Sequence, residues 1–424
     1  EFLIDLSYSI TGKSRGGPAK SAVIASGLVG SISGSAIANV MTTGTFTIPL
    51  MKKSGYKPHV AAAIETAASL GGQLAPPIMG AGIFIMVELT GIPYTKIVLV
   101  SIFPALLYFY NLLLMVDIEA EKTGILGLSK NQLPNIVNIL KKQWFYFLPV
   151  VLLIFLIVYG KSPAYSAFWS TILTIAISWL IKENRMSFKK ILDTFAEASI
   201  KSLSIGATAG SLGLIIGTVY LTGLGLKFSS IILSMSNNSL FLSIILTAVA
   251  SYVLGMGLTV TSSYIILAVL AAPALISLGL EPVSAHLIIF WLSQDANVTP
   301  PVCLAAFSAA SIAGSDPMKT GWTALKYAKS LYIVPLLIAY TPILLNASLW
   351  TNIMTIINCI LGFTLLSFSV HGYFARKKLN LLGRIILTIC SLLFFMPNYI
   401  SSVISIIITI IYYIITNNIF IKYN

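Results

Sequence analysis

Gly30-Ser31-Ile32-Ser33-Gly34-Ser35-Ala36-Ile37-Ala38-Asn39, followed by Gly71-Gly72-Gln73-Leu74-Ala75-Pro76-Pro77, decides the fold because the chain contains this pattern twice. Pro273 stands 224 residues after Pro49, and the same separation links Gly55 to Gly279, Pro58 to Pro282, Pro76-Pro77 to Pro300-Pro301, and Pro93 to Pro317. The second copy opens on Gly255-Met256-Gly257-Leu258-Thr259-Val260-Thr261-Ser262-Ser263, a second Gly/Ser/Thr hinge. One ungapped offset holding from Pro49 to Pro93 is the mark of an internal duplication.

Working outward, each copy reads as a re-entrant hairpin followed by a broken helix. Residues 21–50 are too short and too interrupted for two full crossings, so the Gly/Ser/Asn-rich tip at 30–39 is expected to stop inside the membrane. Non-helical backbone survives at that depth only where protein or a cavity satisfies it. Residues 59–75 predict a helix that Gly71-Gly72 and Pro76-Pro77 break, since proline lacks the N–H and clashes with the preceding turn and glycine weakens a helix. A half-helix at 78–89 follows. In the second copy the tip falls at 255–263, the break at 295–301 interrupts helix 283–295, and a half-helix ends at Gly314.

Composition sets the environment. The chain is 57% hydrophobic and 9% charged with mean hydropathy +0.92, against about 45–50% and about 25% for soluble domains. Apolar runs at 145–159, 164–181, 240–254, 331–349 and 399–416 approach the about 20 residues that cross a bilayer. The expected class is an all-α polytopic membrane protein with inverted repeats. A first repeat at 1–115 includes a crossing at 97–115. Linker and connecting spans fill 116–198, with an amphipathic connector at 117–143. A second repeat occupies 199–349, and accessory spans at 350–424 carry no assigned chemistry.

The net charge of +13 does not mark a nucleic-acid surface. Its lysines and arginines sit in short loops, Lys52-Lys53 with Lys57, Lys141-Lys142, Lys182 to Lys190 and Arg376-Lys377-Lys378, as the positive-inside rule requires. The loop Met51-Lys52-Lys53-Ser54-Gly55-Tyr56-Lys57 is basic, whereas its counterpart Leu275-Ile276-Ser277-Leu278-Gly279-Leu280-Glu281 has no lysine or arginine. The two loops are therefore expected on opposite sides, which makes the repeats inverted. Paired broken helices in inverted repeats hold substrate and ions near the midplane in many secondary transporters.

Other motifs carry less. Gly12-Lys13-Ser14 lacks the upstream glycine and strand of a phosphate-binding loop. Cys303, Cys359 and Cys390 lack metal-ligand spacing and read as small core residues. His59 and His371 border basic loops, and His286 reads as a core histidine. Residues 1–10 read as the end of an element already under way, so an N-terminal portion is expected to be missing.

An unwound segment frees carbonyls, which with hydroxyl and amide oxygens suit a small cation, while half-helix N-termini suit a carboxylate. The first cluster comprises Ser31, Ser33, Gly34, Ser35 and Asn39 facing Gly71, Gly72, Gln73, Pro76 and Pro77. The second comprises Gly255, Gly257, Thr259, Thr261, Ser262 and Ser263 facing Asp295, Asn297, Thr299 and Pro300. Small residues also serve close helix packing in membranes. Asp295 can coordinate a cation or carry a proton. Glu65 reads either as functional or as a neutral acid bonded to a backbone carbonyl, intramembrane acids being costly, and Glu88 reads as snorkelling.

These residues resemble the large membrane subunit, DctM-like, of tripartite ATP-independent periplasmic (TRAP) transporters, most of all the fused permeases that work with TAXI-type binding proteins. The likeness rests on residues 30–40, Thr47 to Tyr56, Ala61 to Gly80, Thr299-Pro300-Pro301-Val302 and Ile312 to Trp322. It implies an elevator-type importer of organic acids (dicarboxylate, 2-oxoacid or glutamate-like) in the inner membrane, driven by sodium or protons and fed by an extracytoplasmic binding protein. It also implies no cofactor beyond Na⁺ as coupling ion. Carried across, cation sites join Ser33 and Ser35 to Gly72 and Pro77, and Gly257 and Thr261 to Asn297 and Thr299. Family fusions begin with further spans ahead of the stretch that opens this sequence, so the chain is expected to be a fragment. Two other classes remain open: an ion channel, and an intramembrane enzyme using Asp295 with His286 as an acid/base pair.

Overall fold

The computed structural model describes residues 2–128, 133–180 and 185–421. Helix α1 (Phe2–Thr11) leads into α2 (Gly17–Ser33), α3 (Ala36–Lys53), α4 (Pro58–Leu74), α5 (Gly82–Thr90) and α6 (Tyr94–Thr123). The middle of the chain forms α7 (Ile136–Gln143), a tight turn at Trp144–Phe147, α8 (Leu148–Val158), α9 (Pro163–Leu180), α10 (Phe188–Leu221) and α11 (Leu224–Met235). The second half repeats the first as α12 (Leu240–Gly255), α13 (Val260–Leu270), α14 (Ala272–Ser277), α15 (Pro282–Leu292), α16 (Asp295–Val298), α17 (Leu304–Ala313), α18 (Pro317–Tyr327) and α19 (Ser330–Tyr340). Then come α20 (Leu349–His371), a small antiparallel hairpin pairing Tyr373 with Lys378, α21 (Leu381–Phe395) and α22 (Tyr399–Ile421).

Local chemistry explains the stops and starts. Gly34, at φ 66°, closes α2 by donating its N–H to the Gly30 carbonyl, a left-handed cap that costs glycine nothing. The Ser35 side chain then caps α3 by accepting from Ala38 N at 3.3 Å. Thr259 does the same for α13, accepting from Ser262 N at 3.2 Å. Both breaks share one cause. A residue before proline is driven out of the helical region, and Ala75 (ψ 134°) and Thr299 (ψ 118°) lie extended before Pro76 and Pro300. Pro76-Pro77 and Pro300-Pro301 are both cis.

Several boundaries differ from expectation. The first tip narrows to Gly34-Ser35 and the second to 256–259, because capping lets the arms extend to Ser33 and Gly255. Helix α4 continues through Gly71-Gly72 to Leu74, so the prolines and not the glycines end it. Its half-helix partner begins at Gly82. The second broken helix stops at Leu292, with the turn α16 carrying Asp295 and Asn297. The 331–349 run yields only α19, because Thr341 precedes Pro342 and turns extended. The divisions at 115 and 198 fall inside the continuous helices α6 and α10. Of the basic loop at 182–190, residues 182–184 lie outside the described ones.

Among the described residues, three helices are long and apolar enough to cross a membrane: α6, α20 and 399–416 of α22. The bent pair 213–221 and 224–235, angled by 73°, makes a fourth if counted as one span. Shorter apolar helices, α12, α13 and α17 among them, fall below the about 20 residues that cross a bilayer.

The core is built on α2 against α4. A Cβ on Gly72 would stand 2.7 Å from the Gly30 Cα, so the two backbones touch. Gly71 presses on the ring of Tyr108, whose hydroxyl donates to the Ala67 carbonyl at 2.8 Å. Lys52 Nζ donates to the Ala313 carbonyl at 2.7 Å, tying α3 to α17. Near the start of α2, Lys20 reaches Asp117 at 2.5 Å and Arg15 pairs with Asp117 and with Glu121. Helix α20 packs on α6 through a polar seam. Ser367 donates to Asn111 Oδ1 at 2.9 Å, Asn111 Nδ2 donates to Ser330 at 3.3 Å, and Lys329 Nζ donates to Ser367 at 3.1 Å. His371, at the foot of α20, lies buried 3.6 Å from Glu119.

Gly72→Ala is expected to destabilise the fold by about 1–3 kcal/mol, the cost of overpacking a close contact. Gly213→Ala, where a Cβ meets nothing within 4 Å, serves as control. Thermal unfolding of the detergent-purified variants by intrinsic fluorescence checks this, with a lower midpoint expected for Gly72→Ala alone.

Candidate functional site

The first cluster forms where two helix C-termini converge. Helix α2 ends at Ser33 and α4 ends at Leu74, and Gln73 Nε2 donates to the Gly34 carbonyl at 2.8 Å to join them. The last carbonyls of a helix lack intrahelical partners and carry the negative end of its dipole. Two such ends together favour a cation. The N-terminus of α3, with its free N–H groups, opens beside them and favours an anion. Two acceptors point inward without a partner among the described residues: Asn39 Oδ1 and Gln73 Oε1, both buried.

The side chains expected to ligate divide into three groups. Gln73 and Asn39 lie at the junction, where Asn39 Nδ2 donates to the Ser26 carbonyl at 2.8 Å and to Ser69 Oγ at 3.0 Å. Ser31 is satisfied locally, donating to the Leu28 carbonyl at 2.9 Å, and Ser35 serves as the cap of α3. Ser33 faces outward. No hydrogen bond among the described residues joins the Ser33 or Ser35 hydroxyl to Gly72 or Pro77. The Pro77 carbonyl accepts from Tyr94 Oη at 2.5 Å, and Gly71 and Gly72 act as contact surfaces.

The second cluster repeats the plan with different side chains. The end of α12 at Gly255 lies against Ala296 and Ser263. Gly257 (φ 78°) and an exposed Met256 form the turn, and the Thr259 hydroxyl is 2.9 Å from that of Ser262. Thr261 is half-buried, while Ser263 is buried with its hydroxyl unpartnered. Asp295, Asn297 and Gln294 are buried across the break. Asp295 bonds to Tyr332 and keeps Oδ1 unpartnered. Tyr332 also bonds the Thr299 hydroxyl, and Tyr252 Oη donates to the Pro300 carbonyl at 2.8 Å.

Sequence reasoning missed three features. Gln294 is buried with both amide atoms unpartnered. Tyr332 stands 224 residues after Tyr108, so the repeat separation alone marks both tyrosines as a shared feature beside the broken helix. The third surrounds Glu65, for which no bond to a backbone carbonyl occurs among the described residues. Instead it meets four hydroxyls: Ser26 at 2.8 Å, Thr43 at 2.5 Å, Thr47 at 2.6 Å and Ser69 at 3.4 Å. These come from three helices, and only assembly brings them together. Glu88 is exposed near the end of α5. His286 is buried with Nδ1 2.9 Å from Tyr264 Oη, and its bond is to that tyrosine, not to Asp295. All three cysteines are buried and free.

Residues 1–344 match the family model described as the DctM component of the tripartite ATP-independent periplasmic transporter. Similar curated proteins include the uncharacterised protein YgiK of Salmonella typhimurium, 24% identical over 80% of this chain and 78% of its own length. A putative TRAP transporter large permease protein of Haemophilus influenzae is 25% identical over 71% of this chain and 70% of its own. The C4-dicarboxylate TRAP transporter large permease protein DctM of Pseudomonas aeruginosa is 23% identical over 80% and 79%.

Gln73→Leu removes the bond that ties the first tip to the break. A hydrogen bond contributes about 1 kcal/mol, which corresponds to roughly fivefold in an opening equilibrium. Hydrogen–deuterium exchange of amides 31–38 is expected to speed up by about that factor, and unchanged exchange would remove Gln73 from the junction.

Proposed function

The chain belongs to the DctM component family of tripartite ATP-independent periplasmic transporters, and from that premise we propose that it imports small organic acids coupled to Na⁺ by an elevator movement of its paired hairpins. Members of the family are multi-pass inner-membrane transport permeases and not enzymes, and TRAP large permeases work with extracytoplasmic binding proteins. The acid/base pairing of Asp295 with His286 is thereby set aside. The substrate class is argued from a relative named for C4-dicarboxylates, and a TAXI-type binding protein from the motif at Ala61 to Gly80.

One observation carries the reading. In each half, two helix C-termini and one helix N-terminus meet at a proline break beside buried, unpartnered oxygens: Asn39 Oδ1 and Gln73 Oε1 in the first, Asp295 Oδ1 and Ser263 Oγ in the second. Carbonyl-rich ends favour a cation and an N-terminus favours a carboxylate, the combination that symport of an organic anion needs. In this proposal Ser33, Ser35, Gly72 and Pro77 supply the first Na⁺ site through hydroxyl and backbone oxygens. Gly257, Thr261, Asn297 and Thr299 supply the second, and the basic first loop and its counterpart without lysine or arginine lie on opposite sides of the membrane. Paired interior breaks fit alternating access better than the continuous pore of a channel.

The test is reconstitution in liposomes with the genomically adjacent binding protein, following labelled succinate, 2-oxoglutarate and glutamate under Na⁺ or pH gradients. Uptake that needs both the binding protein and Na⁺ is expected. Flux without saturation and without the binding protein would favour a channel. Asn297→Ala is expected to raise the Na⁺ concentration for half-maximal uptake by about 10- to 150-fold, since a lost bond to a charged group is worth about 1.5–3 kcal/mol. Ser35→Leu is expected to abolish coupled uptake while the protein remains folded. An unchanged Na⁺ dependence or normal uptake would remove the corresponding residue from the site.

A further inference from the structure

Glu65 and its hydroxyl ring lie on the same three helices as the first tip but away from the break. The carboxyl is fully buried, and among the described residues no Lys, Arg or His stands within ion-pair distance of it. An isolated buried carboxylate is costly unless paired and hydrogen-bonded. The titratable groups on the surrounding helices have other partners or none. Tyr8 of α1 feels the Glu65 charge but its hydroxyl is unpartnered, and Tyr108 of α6 is bonded to Ala67. Asp295 of α16 is bonded to Tyr332, and Lys319, Lys326 and Tyr327 of α18 make no bond or pair with Glu65. From the outer ends of α2 and α3, Lys20 pairs with Asp117 and Lys52 bonds to Ala313. Helix α17 brings no ionisable side chain in its ten residues.

Two geometric facts select the occupant. First, the Glu65 oxygens stand 2.5–2.8 Å from the Thr43, Thr47 and Ser26 hydroxyls. Oxygens this close share a hydrogen, whereas ligands held about 2.4 Å from a hard cation stand roughly 3.4 Å apart in an octahedral shell. The ring is closed on itself and suits a proton. Second, each hydroxyl has one hydrogen and two directions in which to use it. Thr43 Oγ1 lies 2.8 Å from the Asn39 carbonyl as well as beside Glu65, and Thr47 Oγ1 lies 3.1 Å from the Thr43 carbonyl. When the carboxylate takes up a proton, one O–H bond forms on Glu65 and donates to a neighbouring hydroxyl, and the Thr43 and Thr47 hydrogens swing to those carbonyls. When the proton leaves to water, the O–H bond breaks, its electron pair stays on the carboxylate, and the hydroxyl hydrogens swing back. Both states are satisfied by hydroxyl rotation alone.

The duplication supplies the control. Adding the repeat separation to Thr43, Thr47 and Glu65 lands on Leu267, Ala271 and Ile289, all three fully buried. The same helices pack in the second half with apolar residues at these three places, while Ser69 recurs as the buried Ser293, so the fold itself has no need of the acid and its two threonines.

We propose that Glu65, within the ring of Ser26, Thr43, Thr47 and Ser69, binds and releases a proton during transport and so links substrate movement to pH from the first hairpin. This rests on the transport reading above, and it adds a proton site that adjoins the first tip through Asn39, whose amide donates to Ser26 and Ser69 of the ring. The test uses the purified full chain in liposomes. Infrared spectra taken across a pH series are expected to show a carboxylic C=O band that titrates in the wild type and in Asp295→Asn but is lost in Glu65→Gln. Thr47→Val is expected to keep the band and displace its midpoint. Glu65→Gln, with the binding protein, is expected to retain substrate exchange and Na⁺-driven uptake while losing any response to a pH gradient. A band unchanged in Glu65→Gln, or a pH response equal to wild type, overturns the proposal. Absence of exchange in the wild type would instead count against the transport reading, and the infrared titration would still decide the proton site.

Discussion

The backbone contact between Gly30 and Gly72 is the constraint on which the rest depends. With any larger residue at either place α2 and α4 would separate, and the end of one could not meet the end of the other. The Gln73–Gly34 bond spans that crossing, and Asn39 of α3 reaches both sides of it, donating to Ser26 of α2 and Ser69 of α4. The hydroxyl ring around Glu65 spans it too, drawing Ser26 from α2 and Ser69 from α4. Small residues that permit close approach and polar residues that exploit it are therefore not rival explanations at this junction. The first makes the second possible.

The two halves share a mould and differ in what fills it. Helix starts at Ala36 and Val260, hydroxyl caps at Ser35 and Thr259, and extended residues before Pro76 and Pro300 recur at one separation. The ionisable groups do not recur. The first half buries Glu65 among hydroxyls, and the second buries Asp295 against Tyr332 at the break itself. A repeated backbone fixes where oxygens and helix ends can be presented, and each copy remains free to place its acid at a different depth.

Most of the architecture was legible because its signals are local. Proline acts on its own turn and on the residue before it, so both breaks could be read from two dipeptides. The duplication could be read by counting. Boundaries were less legible: capping by Ser35, Gly34 and Thr259 lengthens the arms beyond what composition suggests, and Thr341-Pro342 stops α19 within an apolar run. The side-chain chemistry was the least legible part. Ser33 carries no sign that it faces outward, and nothing near Glu65 in the chain announces Thr43 and Thr47, which reach it only when α3 packs on α4. A helix-spaced pair of threonines is an ordinary feature until an acid lies opposite.

The seam between α20 and α6 has a consequence of its own. Helix α20 lies beyond the segment that matches the family, yet its Ser367 accepts from Lys329 and donates to Asn111, both within that segment. The remaining contact of the Lys329 amine is the thioether of Met115, a weak acceptor. Helix α20 thus supplies, through Ser367, the one oxygen partner that the buried Lys329 amine has among the described residues, and a buried polar group without such a partner is costly. A segment that matches the family therefore satisfies one of its own buried amines with a side chain from outside the match.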